Sequence, residues 1–274
     1  MTLPTPVVCA LCLSDETKLL FKMQDRNIVQ CKNCRLVYIN PWIEDESLYA
    51  VNYFTERNRY IERIDDFKPI FEDILEQIEN YKDKGKLLDV GCGPGLLLAI
   101  ARDRGWDVAG VEISEWAAQY ANEELDIPVV HGPLAANSFS KGSFDVIIAN
   151  HSLEHMPEPN ETIKILSGFL KDDGLLMIGV PNFGSLMAKF KKAKWASLLP
   201  DQHRWQFTPQ TLSILLEKNN FQVIDITFQN HDYIGRGLKR FILKNISLLA
   251  LKLKFGEAML VFANKSAKVS MCKD

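Results

Sequence analysis

The stretch Leu87-Leu88-Asp89-Val90-Gly91-Cys92-Gly93-Pro94-Gly95, with Val111-Glu112 downstream, decides the fold. Its apolar run reads as a buried parallel strand. The strand ends in a turn with glycines on alternate positions, and a helix-like run, Leu96 to Arg104, follows. Glycine is needed where a backbone turns sharply and lets a ligand approach closely. Glu112 closes the next strand-like run, Val108-Ala109-Gly110-Val111. It lies roughly 20 residues beyond the first glycine, where nucleotide-binding sheets place the acid that accepts ribose hydroxyls. Strand, glycine turn, helix, strand and acid together point to a nucleoside-containing cofactor.

The dinucleotide pattern G-x-G-x-x-G sets a helix N-terminus against a pyrophosphate. Here the third glycine, Gly95, comes one position early and Leu96 stands where that pattern asks for Gly or Ala. Asp89, just before the first glycine, is awkward beside a phosphate and useful beside an ammonium group. S-adenosylmethionine combines ribose hydroxyls, an amino-acid tail and a sulfonium, with no phosphate. Asp89 to Gly95 resembles motif I of the class I S-adenosylmethionine-dependent methyltransferases. Ser143-Phe144-Asp145-Val146-Ile147-Ile148-Ala149-Asn150 is similar to that family's fourth strand. His151-Ser152-Leu153-Glu154-His155-Met156-Pro157-Glu158-Pro159 resembles the segment after it, and Lys171-Asp172-Asp173-Gly174-Leu175-Leu176-Met177-Ile178 the turn and fifth strand. The resemblance implies an α/β, Rossmann-like sheet with helices on both faces. It also implies cofactor contacts from Asp89, Gly91, Cys92, Gly93, Gly95, Glu112, Asn150 and His151. Relatives often carry an adenine-binding acid after the third strand, Pro128–His131. Gly132-Pro133-Leu134 holds none, so adenine recognition is expected to rest on backbone groups and on packing by Ile113 and Leu134.

Four of the six cysteines form two C-x-x-C pairs, Cys9/Cys12 and Cys31/Cys34, at the separation of a four-thiolate zinc site. Each pair makes a tight turn that presents two sulfurs to a tetrahedral ion. Short strands are expected between them around Gln24-Asp25-Arg26-Asn27, which makes residues 1–41 a zinc ribbon. With no open position the ion is structural, and it stabilises a module of about 35 residues that is too small to fold on its own core. The competing explanation is four unrelated core cysteines. Cys92 reads as a small residue against the cofactor, and Cys272 falls in a polar tail, 266–274.

Residues 42–82 form a linker and a packing helix, with Phe67, Ile70, Phe71, Ile74 and Ile78 on one face. Tyr53 and Tyr60 are lid candidates by the resemblance; aromatics that merely join two modules are the plainer account. The methyltransferase-like domain is placed at 83–265. Helices are expected at Leu96–Arg104, Glu115–Glu124 and Glu161–Leu170, with Gly174 closing the last in a left-handed conformation. An insertion at 183–207 is basic and aromatic, with Lys189, Lys191, Lys192, Lys194, Trp195, His203, Arg204 and Trp205. Thr208 is expected to cap the next helix. Phe221–Phe228 and Ala258–Ala263 read as the last strands. The second insertion, 231–256, contains Arg236, Lys239, Arg240, Lys244, Lys252 and Lys254 among leucines and isoleucines, with no acid from 235 on. It reads either as a helix packed on its own protein or as an interfacial contact with membrane or a lipid-linked substrate.

Methyl transfer to a hydroxyl needs positioning and a base. The chain has five histidines. His151 and His155 follow the fourth strand, His203 lies in the first insertion, His131 ends the third strand, and His231 follows the sixth. His155 and His203, aided by Glu154, are the catalytic candidates. In ubiquinone-pathway O-methyltransferases a similar acid-x-x-acid-His segment binds a divalent cation; here His151 replaces the first acid.

The net charge of -3 gives no general attraction to nucleic acid. No basic leader or run of about 18 apolar residues is present, so a cytoplasmic location is expected. The leading function is methylation, with a hydroxyl as expected acceptor, of a small molecule: a sugar, glycan precursor or secondary metabolite. Alternatives are an RNA methyltransferase that grips nucleic acid with its ribbon, and an interaction protein that has lost its cofactor. The ribbon is not strongly basic, no Asn-Pro-Pro-Tyr-like motif follows the fourth strand, and the intact Asp89, Gly91, Gly93 and Glu112 argue against the last.

Overall fold

A computed structural model describes residues 4–23, 25–44, 61–229 and 255–266. At the N-terminus β1 (Thr17–Lys22), β2 (Asn27–Cys31) and β3 (Val37–Asn40) pair antiparallel, as the ribbon reading requires. Helix α1 (Ile64–Glu79) follows. Strands and helices then alternate: β4 (Lys86–Val90), α2 (Leu96–Asp103), β5 (Asp107–Glu112), α3 (Glu115–Glu123), β6 (Val129–His131), β7 (Phe144–Asn150), α4 (Pro159–Phe169) and β8 (Leu170–Pro181). The short α5 (Leu186–Lys191), β9 (Trp205–Gln206), α6 (Pro209–Lys218), β10 (Phe221–Gln229) and β11 (Ala258–Lys265) complete the described elements.

The large sheet has the order β10-β11-β8-β7-β4-β5-β6. Strands β4 to β8 run parallel, and β11 lies antiparallel between β8 and β10. The near-continuous apolar runs of β4, β7 and β8 are buried because helices cover both faces. Strand order reverses between β4 and β7. Open α/β sheets bind ligands at such a switch point, beyond the strands' carboxyl ends. This is the Rossmann-like α/β architecture that the glycine turn pointed to.

The ribbon does not stand apart. Strand β9, inside the 183–207 insertion, pairs antiparallel with β3 and becomes the fourth strand of the ribbon sheet. One apolar cluster joins Leu11, Ile28, Leu36 and Tyr38 of the ribbon to Leu153, Trp205, Phe207 and Leu212. A ribbon this small leaves an edge strand unpaired and too little core to bury, and the insertion supplies both.

Three expectations change. Gly174 lies within β8 rather than capping a helix; a side chain there would meet Leu170 Cδ1 at 2.7 Å, so close packing demands the glycine. Helix α4 starts at Pro159, two residues early, because proline at a first helical position has the right φ and no N–H to leave unbonded. On α1, Ile70 is exposed and Leu75 buried in its place. Tyr53, Tyr60, His231, Cys272 and all but the last two residues of 235–256 lie outside the described residues. No described helix is long and apolar enough to cross a membrane.

Candidate active site

The turn from β4 into α2 carries Gly91, Gly93 and Gly95 at φ of 72°, 55° and 80°. A Cβ on Gly91 would also lie 2.8 Å from Ser152 Cβ. Glu112, at the end of β5, is buried; Oε2 accepts from the Gly93 N–H and Oε1 from the Ser114 N–H, both at 2.8 Å. Burial raises its carboxyl while the Ser114, Gly93 and Ile113 N–H groups oppose the shift. A carboxylate offers about four lone-pair sites, so each oxygen keeps one for a ligand hydroxyl. Asp89 is 4% exposed, and its Oδ1 has no hydrogen-bond partner among the described residues. Burial and the neighbouring Glu112 charge push its carboxyl up to about 8. Asn150 Oδ1, at the end of β7, is likewise buried without a partner.

Glu112 and Asn150 Oδ1 offer acceptors, and Asp89, with its carboxyl raised, offers one when a nearby ammonium favours its ionised form. The set suits an ammonium and ribose hydroxyls. Cys92 is buried, with its thiol raised well above the ordinary range by burial, which makes it a packing residue and not a nucleophile. Ile113 is exposed beside Glu112, and Leu134 is partly buried against the core.

A second constellation follows β7. Ser152 Oγ donates to Val90 O at 2.7 Å and ties the segment to the glycine turn. His151 sits at φ 54°; its N–H donates to Gly179 O, and its exposed ring lies 3.3 Å from Glu154 Oε1. Glu154 is fully buried, and its Oε2 has no hydrogen-bond partner among the described residues. His155 Nδ1 lies 2.9 Å from Gln202 O, and His203 Nδ1 2.8 Å from Ser197 O. A carbonyl only accepts, so each neutral ring carries its proton on Nδ1 and turns a lone pair outward from Nε2. The two rings meet edge to face at 4.7 Å. Burial works against ionisation of Glu154, but the His151 hydrogen bond and the three imidazoles hold it at about 2. Burial pushes His203 down to about 4 against the pull of Glu154. At neutral pH the arrangement is therefore a carboxylate beside a neutral His203.

Ligand atoms of Glu154, His155 and His203 all lie within 4.8 Å of one another, close enough to share a proton or a divalent cation. The resemblance named His151, Glu154 and His155 for a cation; the structure puts His203 in this group and leaves His151 out. The anchoring carbonyls of Ser197 and Gln202 carry no sequence signal, because every residue has one.

The four ribbon cysteines also converge. Cys9 and Cys34 Sγ are 3.2 Å apart, Cys12 and Cys31 3.4 Å, and all four sulfurs lie within 4.8 Å. A disulfide would need about 2.05 Å. Sulfurs around a tetrahedral zinc, at about 2.3 Å from the metal, lie about 3.8 Å apart, which this cluster brackets. Burial resists ionisation of Cys31, yet the Cys34 and Asn33 N–H groups and the Cys12 thiol lower it to about 7.

The sequence pattern of the methyltransferase-domain family matches residues 53–226. The chain belongs to that family, and its α/β fold is the one seen in solved methyltransferases. Among curated proteins it is 32% identical over 115 residues to a ubiquinone biosynthesis O-methyltransferase of Idiomarina loihiensis, covering 38% of this chain and 47% of that one. It is 26% identical over 137 residues to the protein of that name from Chromobacterium violaceum, covering 46% and 59%. The chain thus spans about half the length of the curated relatives it matches. A methyltransferase structure from Archaeoglobus fulgidus superposes with a TM-score of 0.54 at 23% identity, over 72% of this chain and 94% of that one. A Pyrococcus horikoshii protein gives 0.54 at 20%, over 82% and 100%. These two likenesses are of fold.

Proposed function

We propose that the chain methylates a hydroxyl of a small molecule, with a sugar, glycan precursor or secondary metabolite as the favoured acceptor class. The observation that carries this is the Glu154–His155–His203 cluster, in which His203 of the insertion meets two residues that follow β7, the strand next to β4. S-adenosylmethionine, when bound, supplies an electrophilic methyl on a sulfonium. Asp89 and Asn150 would hold its amino-acid end and Glu112 its ribose. Ile113 and Leu134 would flank its adenine. His155 Nε2 would take the acceptor hydroxyl's proton, because its Nδ1–H is committed to Gln202 O. Glu154, ionised and buried, stabilises the imidazolium that results. His203 stays neutral and bounds the pocket from the insertion. Cys9, Cys12, Cys31 and Cys34 hold a structural zinc. The basic, apolar segment 235–256 is the part of the chain suited to a lipid-linked acceptor.

The hydroxyl acceptor draws support from the likeness to ubiquinone biosynthesis O-methyltransferases. RNA as acceptor would require binding that weakens steeply with salt. The test is a panel of hydroxylated small molecules scored by release of S-adenosylhomocysteine. With an acceptor found, His155→Ala should lower turnover by roughly 10²–10⁴ while leaving cofactor affinity nearly intact. Unchanged turnover removes His155 as base.

A further inference from the structure

The carbonyls that orient both imidazoles belong to the segment 195–206, and much of what holds that segment comes from the ribbon. Cys31 N–H closes its turn on Leu36 O at 2.8 Å, and the chain runs directly into β3. Val37 and Tyr38 of β3 pair with Gln206 and Trp205 of β9. Ile39 N–H donates to Arg204 O at 3.0 Å. The Tyr38 ring is buried against Trp205 at 5.6 Å between centroids. Trp205 in turn grips the acceptor segment: its N–H donates to Glu154 O at 3.2 Å and its Nε1–H to Met156 O at 2.7 Å. From the other end of the ribbon, the buried Arg26 donates to Pro200 O at 2.9 Å and pairs with Asp201 at 3.0 Å. The cofactor crevice is built differently. Asp89, Glu112 and Asn150 sit on ladders of the large sheet, none of which contains a ribbon strand.

We propose that the four-cysteine ribbon is a positioning device for the acceptor cluster: its metal-held fold clamps β9, and through Tyr38 and Trp205 it fixes Glu154, His155 and His203. Releasing the metal loosens that cluster and leaves the cofactor crevice in place. The consequence for catalysis rests on the reading of the cluster given above; the mechanical link does not. Tyr38 and Trp205 are positioning residues that touch neither cofactor nor acceptor in this scheme.

The experiment uses the full chain and needs no acceptor. Purified protein is assayed for zinc, then compared before and after chelation by hydrogen exchange, by calorimetry with S-adenosylhomocysteine and by proton–nitrogen spectra of the imidazoles. The expected result is exchange roughly tenfold faster or more at residues 151–156 and 197–206, with unchanged cofactor-product affinity. Both imidazoles should also lose their fixed Nδ1–H tautomer. Protein purified without zinc, or faster exchange confined to residues 5–42, overturns the proposal. So does a parallel collapse of cofactor-product binding, which would make the ribbon a prop for the whole fold. Trp205→Phe is the second arm, for it keeps a ring against Tyr38 and removes the hydrogen bond to Met156 O. In the zinc-loaded variant, faster exchange at 151–156 and a disturbed His155 tautomer are expected; an unaltered segment overturns the clamp. If His155→Ala leaves turnover untouched while these signatures appear, the base assignment fails and the clamp stands; the converse pattern removes the clamp alone.

Discussion

Asp89 is the residue expected to carry both cofactor affinity and a pH response. In the free protein burial and Glu112 push its carboxyl up to about 8. A folded-state value above the unfolded one favours the protonated form, so this contribution to stability is present in acid and is lost as pH rises toward 8. A ligand ammonium reverses the preference by favouring the carboxylate. Cofactor binding near pH 7 should therefore release a proton from Asp89, and affinity should climb toward pH 8. Above about 8 an α-amino group itself loses its charge, which sets an upper limit. Calorimetry in buffers of different ionisation enthalpy measures the released proton; Asp89→Asn should abolish that release and weaken binding. Glu112→Ala should weaken cofactor binding by roughly 2 kcal/mol or more, the scale of lost charge-assisted hydrogen bonds. An unaltered affinity there would place the ribose elsewhere.

At the scale of elements, the ends of strands and helices do the positioning. The turn between β4 and α2 depends on left-handed backbone at Gly91, where a methyl group would also press on Ser152. Gly91→Ala should therefore impair cofactor binding more than global stability, read by calorimetry against thermal unfolding. Helix α6 behaves as its sequence implied. Thr208 caps it, accepting from the Thr211 N–H, and Thr211 Oγ1 accepts from the Thr208 N–H in return. Thr208→Ala should cost about 1 kcal/mol, measured by denaturant unfolding, with cofactor affinity unchanged. The short β9 has no comparable local signal. Two residues cannot display a period, and its pairing with β3 is set by an edge that needs partners.

Across the whole molecule, the ribbon and part of the α/β body share one apolar cluster. Polar contacts reinforce this: Ala10 O accepts from the Asn160 side chain, and Leu11 O from Lys218 Nζ. A metal at the ribbon should thus stabilise more than the ribbon. We expect about one zinc per chain by elemental analysis, and chelation should lower the melting temperature of the transition that includes β9. A melting curve indifferent to chelation would leave the four cysteines without a structural ion.

By itself the sequence determined what depends on neighbours along the chain. The glycine turn, the acid ending β5, the paired cysteine turns and the Thr208 cap are local patterns, in which residue type and spacing dictate backbone conformation. The order of strands and helices followed from the same patterns. The sequence groups His155, His203 and Glu154 as catalytic candidates; only tertiary structure decided that His203, and not His151, lies within ligand distance of both Glu154 and His155. It also decided that an insertion strand completes the ribbon, and that Gly174 answers to Leu170 rather than to a helix end. Each of these turns on groups brought together across long stretches of chain. There, burial sets the charge of a carboxyl and ordinary backbone carbonyls set the proton position on an imidazole, and neither leaves a mark in residue type.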